Sequence, residues 1–319
     1  MNPDSLSLLL ICSQLGLADE SIKPLTLREW NPLMGRMQSV SLRPSDLITL
    51  SEPDFHLKLD IDAGLASRIL QLLSRDIKPE LNHLASIGIQ LLTRADPDYP
   101  EKYRQHLKDS APLVLFYAGE KALLGQPGIA VVGSRHLDEA GQECAKFVGN
   151  ACGMSGQVLY SGGAKGVDTI SMDAALEARG TAVGVLAADL ERAVRSRKDA
   201  LGRGDLCLVT PYNPNAGFSV GAAMGRNRLI YCLADYAIVV AADAETGGTW
   251  AGAVETLKNK WVPVFVLEHN AMPEGNRVLM QKGALGFPHP FKEPPARLPQ
   301  WMQEQTANLP SQTSQPELF

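Results

Sequence analysis

The chain has 319 residues, an apolar fraction of 45% and a formal net charge of −5. This length allows one large domain or two, with ample apolar material for a core. The acidic balance excludes a polybasic surface, so any contact with nucleic acid has to come from a local patch of cations. The five cysteines (Cys12, Cys144, Cys152, Cys207, Cys232) form no C-x-x-C pair and read as buried, reduced thiols. The six histidines are scattered without metal-ligand spacing, which argues against a metal site. The apolar run Leu6–Cys12 is too short to span a bilayer and has no basic flank. A cytoplasmic protein without a cofactor is expected.

Residues 1–88 read as helical. Thr26 and Glu29 have the spacing of a capping box. Trp30, Leu33, Met34 and Met37 follow on one helix face, and Leu65, Ile69, Leu72 and Leu73 make a second such set. Leu81, Leu84 and Ile87 suggest a third helix, stopped by Gly88. A small helical domain over 1–88 is expected, with a supporting or docking role. Residues 89–126 join it to the rest through strand candidates at Ile89–Leu92 and Leu113–Tyr117, with a turn-rich Asp96-Pro97-Asp98-Tyr99-Pro100 between them.

The informative stretch begins at residue 127. Gly128–Val132 is short, apolar and β-branched, the pattern of a buried parallel strand. It ends in Gly133-Ser134-Arg135 and leads to a helix pattern at Ala145, Val148 and Cys152. Val158–Tyr160 repeats the scheme, ending in Ser161-Gly162-Gly163-Ala164-Lys165-Gly166-Val167-Asp168 ahead of another helix. Two strand–glycine loop–helix units place helix N-termini at one sheet edge, where free N–H groups and the dipole favour anions. Arg135 and Lys165 add full charges, so phosphate is the expected ligand. The spacing matches neither the dinucleotide fingerprint nor the Walker loop.

Further strands are expected at 182–186, 206–209, 237–241 and 262–266. Between them lie a basic segment (Arg192, Arg195, Arg197, Lys198, Arg203) and a long loop, Thr210–Val220. Arg226-Asn227-Arg228 then stands just ahead of Leu229, Ile230 and Leu233. At a helix start, two arginines oppose the dipole, which points to an anionic ligand, with Asn227 as cap or base contact. Pairing of these arginines with Asp235, and a plain solvated face for the basic segment, are the competing structural readings. Gly247-Gly248-Thr249 closes the loop after the strand at 237–241. The order predicts a doubly wound, mostly parallel Rossmann-like α/β sheet over 89–286, with every glycine loop at one edge. From 287 to 319 the composition predicts a flexible Pro/Gln-rich tail.

Taken together, Asp98-Tyr99-Pro100, Gly133-Ser134-Arg135, the Ser161–Asp168 loop, Arg226-Asn227-Arg228, Gly275-Asn276 and Gly283-Ala284 resemble the DprA/Smf family of DNA-processing proteins over most of 93–285. The resemblance implies an extended Rossmann fold that binds single-stranded DNA without catalysis, often as a homodimer, and helps to load a RecA-type recombinase. It puts Arg135, Lys165, Arg226 and Arg228 at the family's phosphate-binding positions. The chain departs from the family pattern at Gly225 (commonly arginine), Met172 (histidine), Ala241 (glutamate) and Leu267-Glu268 (Pro-Gly). Similar proteins also serve as antitoxins beside a phosphoribosyltransferase-like toxin in phage-defence pairs (the Shos type), and the divergence keeps that role open. The last residues, with Gln315, Leu318 and Phe319, resemble a peptide that docks bacterial sliding clamps.

Two other classes compete. Gly247-Gly248-Thr249 with Glu255 loosely resembles the loop of nucleoside-monophosphate phosphoribohydrolases, with Glu255 stabilising an oxocarbenium ion and Arg228 on the phosphate. A nucleotide sensor would use the same loop edge without turnover.

Overall fold

The computed structural model describes residues 1–17 and 21–307. Its nine strands are β1 (Ile89–Thr93), β2 (Val114–Gly119), β3 (Gly128–Val132), β4 (Val158–Ser161), β5 (Thr181–Val185), β6 (Leu206–Thr210), β7 (Tyr236–Val239), β8 (Val264–Glu268) and β9 (Leu285–Pro288). They make a mostly parallel sheet with helices, the α/β class expected from the sequence. The chain divides into two compact units, Met1–Gln126 with Val183–Leu233, and Pro127–Ala182 with Ala234–Phe319. The division does not follow the boundary expected at residue 88, because β1 and β2 pair with each other and β2 with β6, which places the N-terminal helices and these strands in one unit.

In the first unit the strand order is β1-β2-β6-β5. β1 and β2 are antiparallel, with Leu91 opposite Phe116, and so are β2 and β6, with Tyr117 opposite Val209. The N-terminal helices form for the reasons legible in the sequence. Helix Pro3–Cys12 is capped by Asn2, whose Oδ1 accepts the Ser5 N–H at 2.7 Å. Helix Leu27–Ser39 has its capping box, the Glu29 carboxylate accepting the Thr26 N–H at 2.9 Å, and buries Trp30, Leu33 and Met37. Helix Ala63–Leu73 buries Ala66, Ile69 and Leu72. Helix Lys78–Ser86 stops before Gly88. Asp96 ties this layer to the sheet. One oxygen accepts from Asn2 (2.8 Å) and Ser5 (2.7 Å), the other from the Thr93 N–H (2.7 Å) and hydroxyl (3.0 Å). The unit also holds short helices at Leu190–Ser196 and Lys198–Arg203, and helix Val220–Tyr231.

In the second unit the order is β4-β3-β7-β8-β9, all parallel where paired, with Ala130 opposite both Tyr160 and Ala237, and Val239 opposite Val266. Helix Glu139–Ser155 buries Ala145, Val148 and Cys152, as its spacing predicts, and packs against helix Val167–Glu177. Helices Gly247–Asn259 and Glu274–Gln281 follow β7 and β8.

The expected tail begins too early. β9 adds an edge strand, a place where Pro288 is tolerated because no neighbour needs its missing N–H. Beyond it, helix Leu298–Ala307 buries Leu298 and Met302 completely. Trp301 lies edge-on to Phe287 (centroids 5.7 Å apart) and Phe291 (5.2 Å), and Phe291 also meets Phe147 at 5.2 Å. Four aromatic rings outweigh a polar composition. Gln315, Leu318 and Phe319 lie outside the described residues.

All five cysteines are free thiols, and burial pushes Cys144 and Cys152 up to about 12. No helix of the described residues is long and apolar enough to cross a membrane.

Two expectations follow from the packing. Trp301→Ala should cost about 3 kcal/mol of stability in urea unfolding, as large-to-small changes among packed aromatics do; a midpoint equal to that of the parent would mean that residues 287–307 are not held. The second concerns Asp54, at the start of helix Glu52–Leu59. Hydrogen bonds from Ser51 and the Lys58 ammonium (3.0 Å) hold its carboxyl down to about 2 from an ordinary 3.8. A folded-state value below the unfolded one stabilises above the unfolded value, and that support is lost as pH falls through the folded value. The stability advantage of the parent over Asp54→Asn, measured by denaturant unfolding, should therefore be present at pH 5 and close between about pH 4 and pH 2. A gap independent of pH would reject the assignment.

Candidate nucleic-acid interface

Parallel pairing determines where the glycine loops of the second unit go. β3, β4 and β7 are neighbours running in the same direction, so the segments after Val132, Ser161 and Val239 leave one edge of the sheet. They touch there. The Ser134 N–H donates to the Ala241 carbonyl at 2.9 Å, which joins the β3 loop to the β7 loop. Gly166 has φ +90°, and a Cβ built on it would lie 2.6 Å from the Ser134 oxygen and 2.8 Å from the Arg135 Cα. Only glycine lets the β4 loop pass this close beneath the β3 loop.

Side chains from below set the loop shapes. The fully buried Ser161 donates its hydroxyl to the Val131 carbonyl at 2.7 Å. It was expected to face a ligand; instead it braces β4 against β3. Buried Asp168 accepts the Ala164 N–H at 3.3 Å, and the Thr169 hydroxyl donates to the Ala164 carbonyl at 2.6 Å. Gly162 is buried, whereas Gly163 and Lys165 are exposed at the crest, with Gly166 half-buried. Arg135 is exposed on the β3 loop, beside half-buried Gly133 and Ser134. Asn276 holds the β7 exit. Fully buried, it accepts the Ala242 N–H at 3.0 Å and donates to the carbonyls of Val240 (3.1 Å) and Leu267 (3.0 Å). The sequence marked Gly275-Asn276 as part of a pattern without assigning it this work; a polar residue between apolar helix positions was the available signal.

The helix ends are not equivalent as anion sites. Helix Glu139–Ser155 starts six residues beyond Gly133, and its first N–H groups are met by its own cap, Asp138 Oδ1 accepting from Gly141 at 2.8 Å. A carboxylate therefore occupies the end that the sequence offered to phosphate. Helix Gly247–Asn259 has no side-chain cap and no acidic residue in its first turn, which leaves the amides of Gly247, Gly248 and Thr249 as donors. Asp243 and Glu245 are exposed on the loop before it. Glu255 stands eight residues into this helix, about 12 Å along its axis from Gly247.

Arg226-Asn227-Arg228 belongs to the first unit, and its placement differs from expectation. Helix Val220–Tyr231 begins six residues earlier, capped by Ser219, whose Oγ accepts the Ala222 N–H at 3.1 Å. Asn227 is not the cap. Arg228 falls in the last turn, where the dipole favours a cation. The stretch Val220–Ala223 is partly to fully exposed and has no apolar stripe, so its helical state left no periodic signal. Arg226 is buried, Asn227 and Arg228 are half-buried, and the Arg228 Nε is enclosed without a hydrogen-bond partner among the described residues. Tyr212 packs on this helix. Its hydroxyl donates to the Ala222 carbonyl at 3.0 Å, and a Cβ on Gly225 would come within 3.0 Å of that same hydroxyl. A side chain at 225 would require the phenol to give by a few tenths of an ångström. Burial pushes the Tyr212 phenol up while Arg228 and Arg226 draw it down, so the ring lies within the field of both cations. In the basic segment, Arg195 pairs with Glu191 at 3.9 Å and Arg203 with Asp205 at 2.6 Å, pairs of exposed arginines with partly buried carboxylates. Among the described residues no group of three metal-ligating side chains is present.

The family model for DNA recombination-mediator protein A matches residues 90–290, from β1 to just past β9. DNA processing protein DprA of Streptococcus pneumoniae is 32% identical over 182 residues, covering 54% of this chain and 63% of that protein. Protein Smf of Synechocystis is 28% identical over 165 residues, 50% of this chain and 41% of that protein. The chain thus spans less than two thirds of the length of either. Among solved structures, DprA of S. pneumoniae superimposes with a TM-score of 0.66 at 24% identity, over 82% of this chain and 90% of that one. DNA processing protein A of Helicobacter pylori, described for its single-stranded DNA binding mode, gives 0.53 at 25% identity over 63% and 92%. The family match takes in the strands from Gln90 onward, the three glycine loops and the arginine helix, and the chain belongs to the DNA recombination-mediator protein A family.

Proposed function

We propose that the chain binds single-stranded DNA without catalysis and acts in DNA processing and recombination. The observation that carries this reading is the edge of the second unit, where the β3 and β4 loops are locked together by the Gly166–Ser134 approach and present Arg135 and Lys165 to solvent. Two cations on rigid loops beside glycine backbone suit phosphates of any sequence. The uncapped amides at Gly247–Thr249 suit the same group. In the first unit, Arg226 and Arg228 supply a further phosphate-binding helix, with Asn227 between them. The relative described by its single-stranded DNA binding mode supports the choice of strand over duplex.

Recombinase loading and homodimer formation are the partner readings that accompany this proposal; the antitoxin role is its alternative, and the two part on whether a RecA-type recombinase or a toxin co-purifies. The enzyme reading is weaker, because Glu255 stands about two turns along its helix from the loop amides. Release of free base from any nucleoside monophosphate, abolished by Glu255→Gln, would revive it.

Fluorescence anisotropy with a labelled single-stranded oligonucleotide tests the main reading. Arg135→Ala and Lys165→Ala should each weaken binding to all sequences alike and lower the slope of log K against log salt by about 0.7, the value for one phosphate contact on a single strand. Unchanged affinity and slope in both would place the site elsewhere. Arg226→Ala/Arg228→Ala should lower the slope by about 1.4, twice that amount. Because Arg226 is buried, the variant is compared with the parent by thermal unfolding, and a slope equal to that of the parent in a folded variant would remove the helix from the interface.

A further inference from the structure

The first unit contains a cavity of about 560 Å³, within the usual range for small-ligand sites, that is lined by none of the residues assigned to DNA. Leu8 and Trp30, each only 2% exposed, form its floor. Half-buried Met34 and Leu42 extend the apolar wall, and exposed Gln38 and Ser41 stand at the rim. Three arginines line it, Arg43, Arg94 and Arg104, against one carboxylate, Asp4. Asp4 is already engaged. One oxygen accepts from Arg43 Nε (3.1 Å) and Nη2 (2.5 Å), the other from the Ser45 N–H at 2.9 Å. Arg104 is engaged as well, its terminal nitrogens donating to the carbonyls of Arg94 and Asp96 at 2.8 Å each. The neighbouring carboxylates also have partners and do not line the cavity: Asp46 accepts the Arg43 N–H at 2.7 Å, Asp96 is bound by Asn2, Ser5 and Thr93, and exposed Glu101 stands 3.7 Å from Arg104 Nε. Arg94 differs from the other two arginines. Its backbone is pinned on both sides, the N–H on the Leu113 carbonyl at 3.0 Å and the carbonyl under Arg104. Its guanidinium makes no ion pair among the described residues and a single long hydrogen bond, 3.5 Å to the Asp109 carbonyl. Most of its planar donor fork is therefore open.

We propose that this cavity binds a small organic anion, its carboxylate or phosphate held by the Arg94 fork and its apolar body laid against the floor of Trp30 and Leu8. An open guanidinium on a fixed backbone is preorganised for a group that presents two oxygens side by side. The apolar floor selects against a bare inorganic ion, which would leave it uncovered. The guanidinium selects against a neutral apolar molecule, which would bury a cation without pairing it. The site does not depend on strand binding.

The test titrates the full chain with naphthoate, naphthyl phosphate and the neutral naphthylmethanol, followed by saturation-transfer NMR on the small molecule. The parent is compared with Arg94→Gln, with Met34→Trp, which fills the cavity, and with Arg135→Ala/Lys165→Ala, which separates this site from the loop edge. Thermal unfolding verifies that each variant is folded. At least one anion should bind the parent, about tenfold or more tightly than the alcohol. Arg94→Gln should weaken that binding about tenfold or more, the cost of one hydrogen bond to a charged group. Met34→Trp should abolish it, and Arg135→Ala/Lys165→Ala should retain it. The anion that binds more tightly identifies the head group. Equal binding of the alcohol would reduce the cavity to an apolar crevice and overturn the proposal. Anion binding that survives in folded Arg94→Gln and Met34→Trp, or that is lost in Arg135→Ala/Lys165→Ala, would place the anion elsewhere and overturn it as well. So would the absence of binding of either anion to the parent.

Discussion

The candidate loop edge depends on the parallel pairing of β3 with β4 and β7. Parallel strands must be linked by crossovers, so their C-terminal ends, and the turns that follow, collect on one side. Everything else at this edge refines that constraint. The Ser134–Ala241 hydrogen bond and the close passage at Gly166 fix the spacing between turns, and Asn276 closes the exit of β7 by satisfying three backbone groups. A buried amide in that position is fully used, which is the condition under which a buried polar side chain specifies a structure instead of weakening it.

The charge distribution around this edge is mixed. Arg135 and Lys165 are exposed on it, and so are Asp138, Asp243 and Glu245, on a chain whose net charge is −5. Screening confines each exposed charge to roughly 8–10 Å at ordinary salt. A polyanion is therefore attracted close to the cations and repelled close to the exposed carboxylates, and the net charge has little reach beyond that distance.

Much of this was legible in the sequence, for physical reasons. Runs such as Gly128–Val132 and Leu206–Val209 are buried on both faces and so contain no polar residue to obscure them. The capping box at Thr26 and the glycine loops were readable because their residue types are dictated by local backbone chemistry. Legibility failed where tertiary context decided. Helix Val220–Tyr231 starts in an exposed Val-Gly-Ala-Ala run with no periodicity, so its arginines were assigned to the wrong end. Leu285–Pro288 carries a glycine and a proline and is a strand only because β8 offers it an edge. Trp301 looked like part of a polar tail until Phe287 and Phe291 gave it partners. Asp138 was unremarkable until the helix began immediately after it.

The contact between Tyr212 and Gly225 couples two positions thirteen residues apart. A side chain at 225 would place its Cβ 3.0 Å from the phenolic oxygen that holds the Ala222 carbonyl, so the phenol would have to give by a few tenths of an ångström. The two positions are coupled as neighbours in one contact are. A change at 225 is therefore felt at the hydrogen bond to Ala222, and the effect of a substitution at either position depends on what stands at the other.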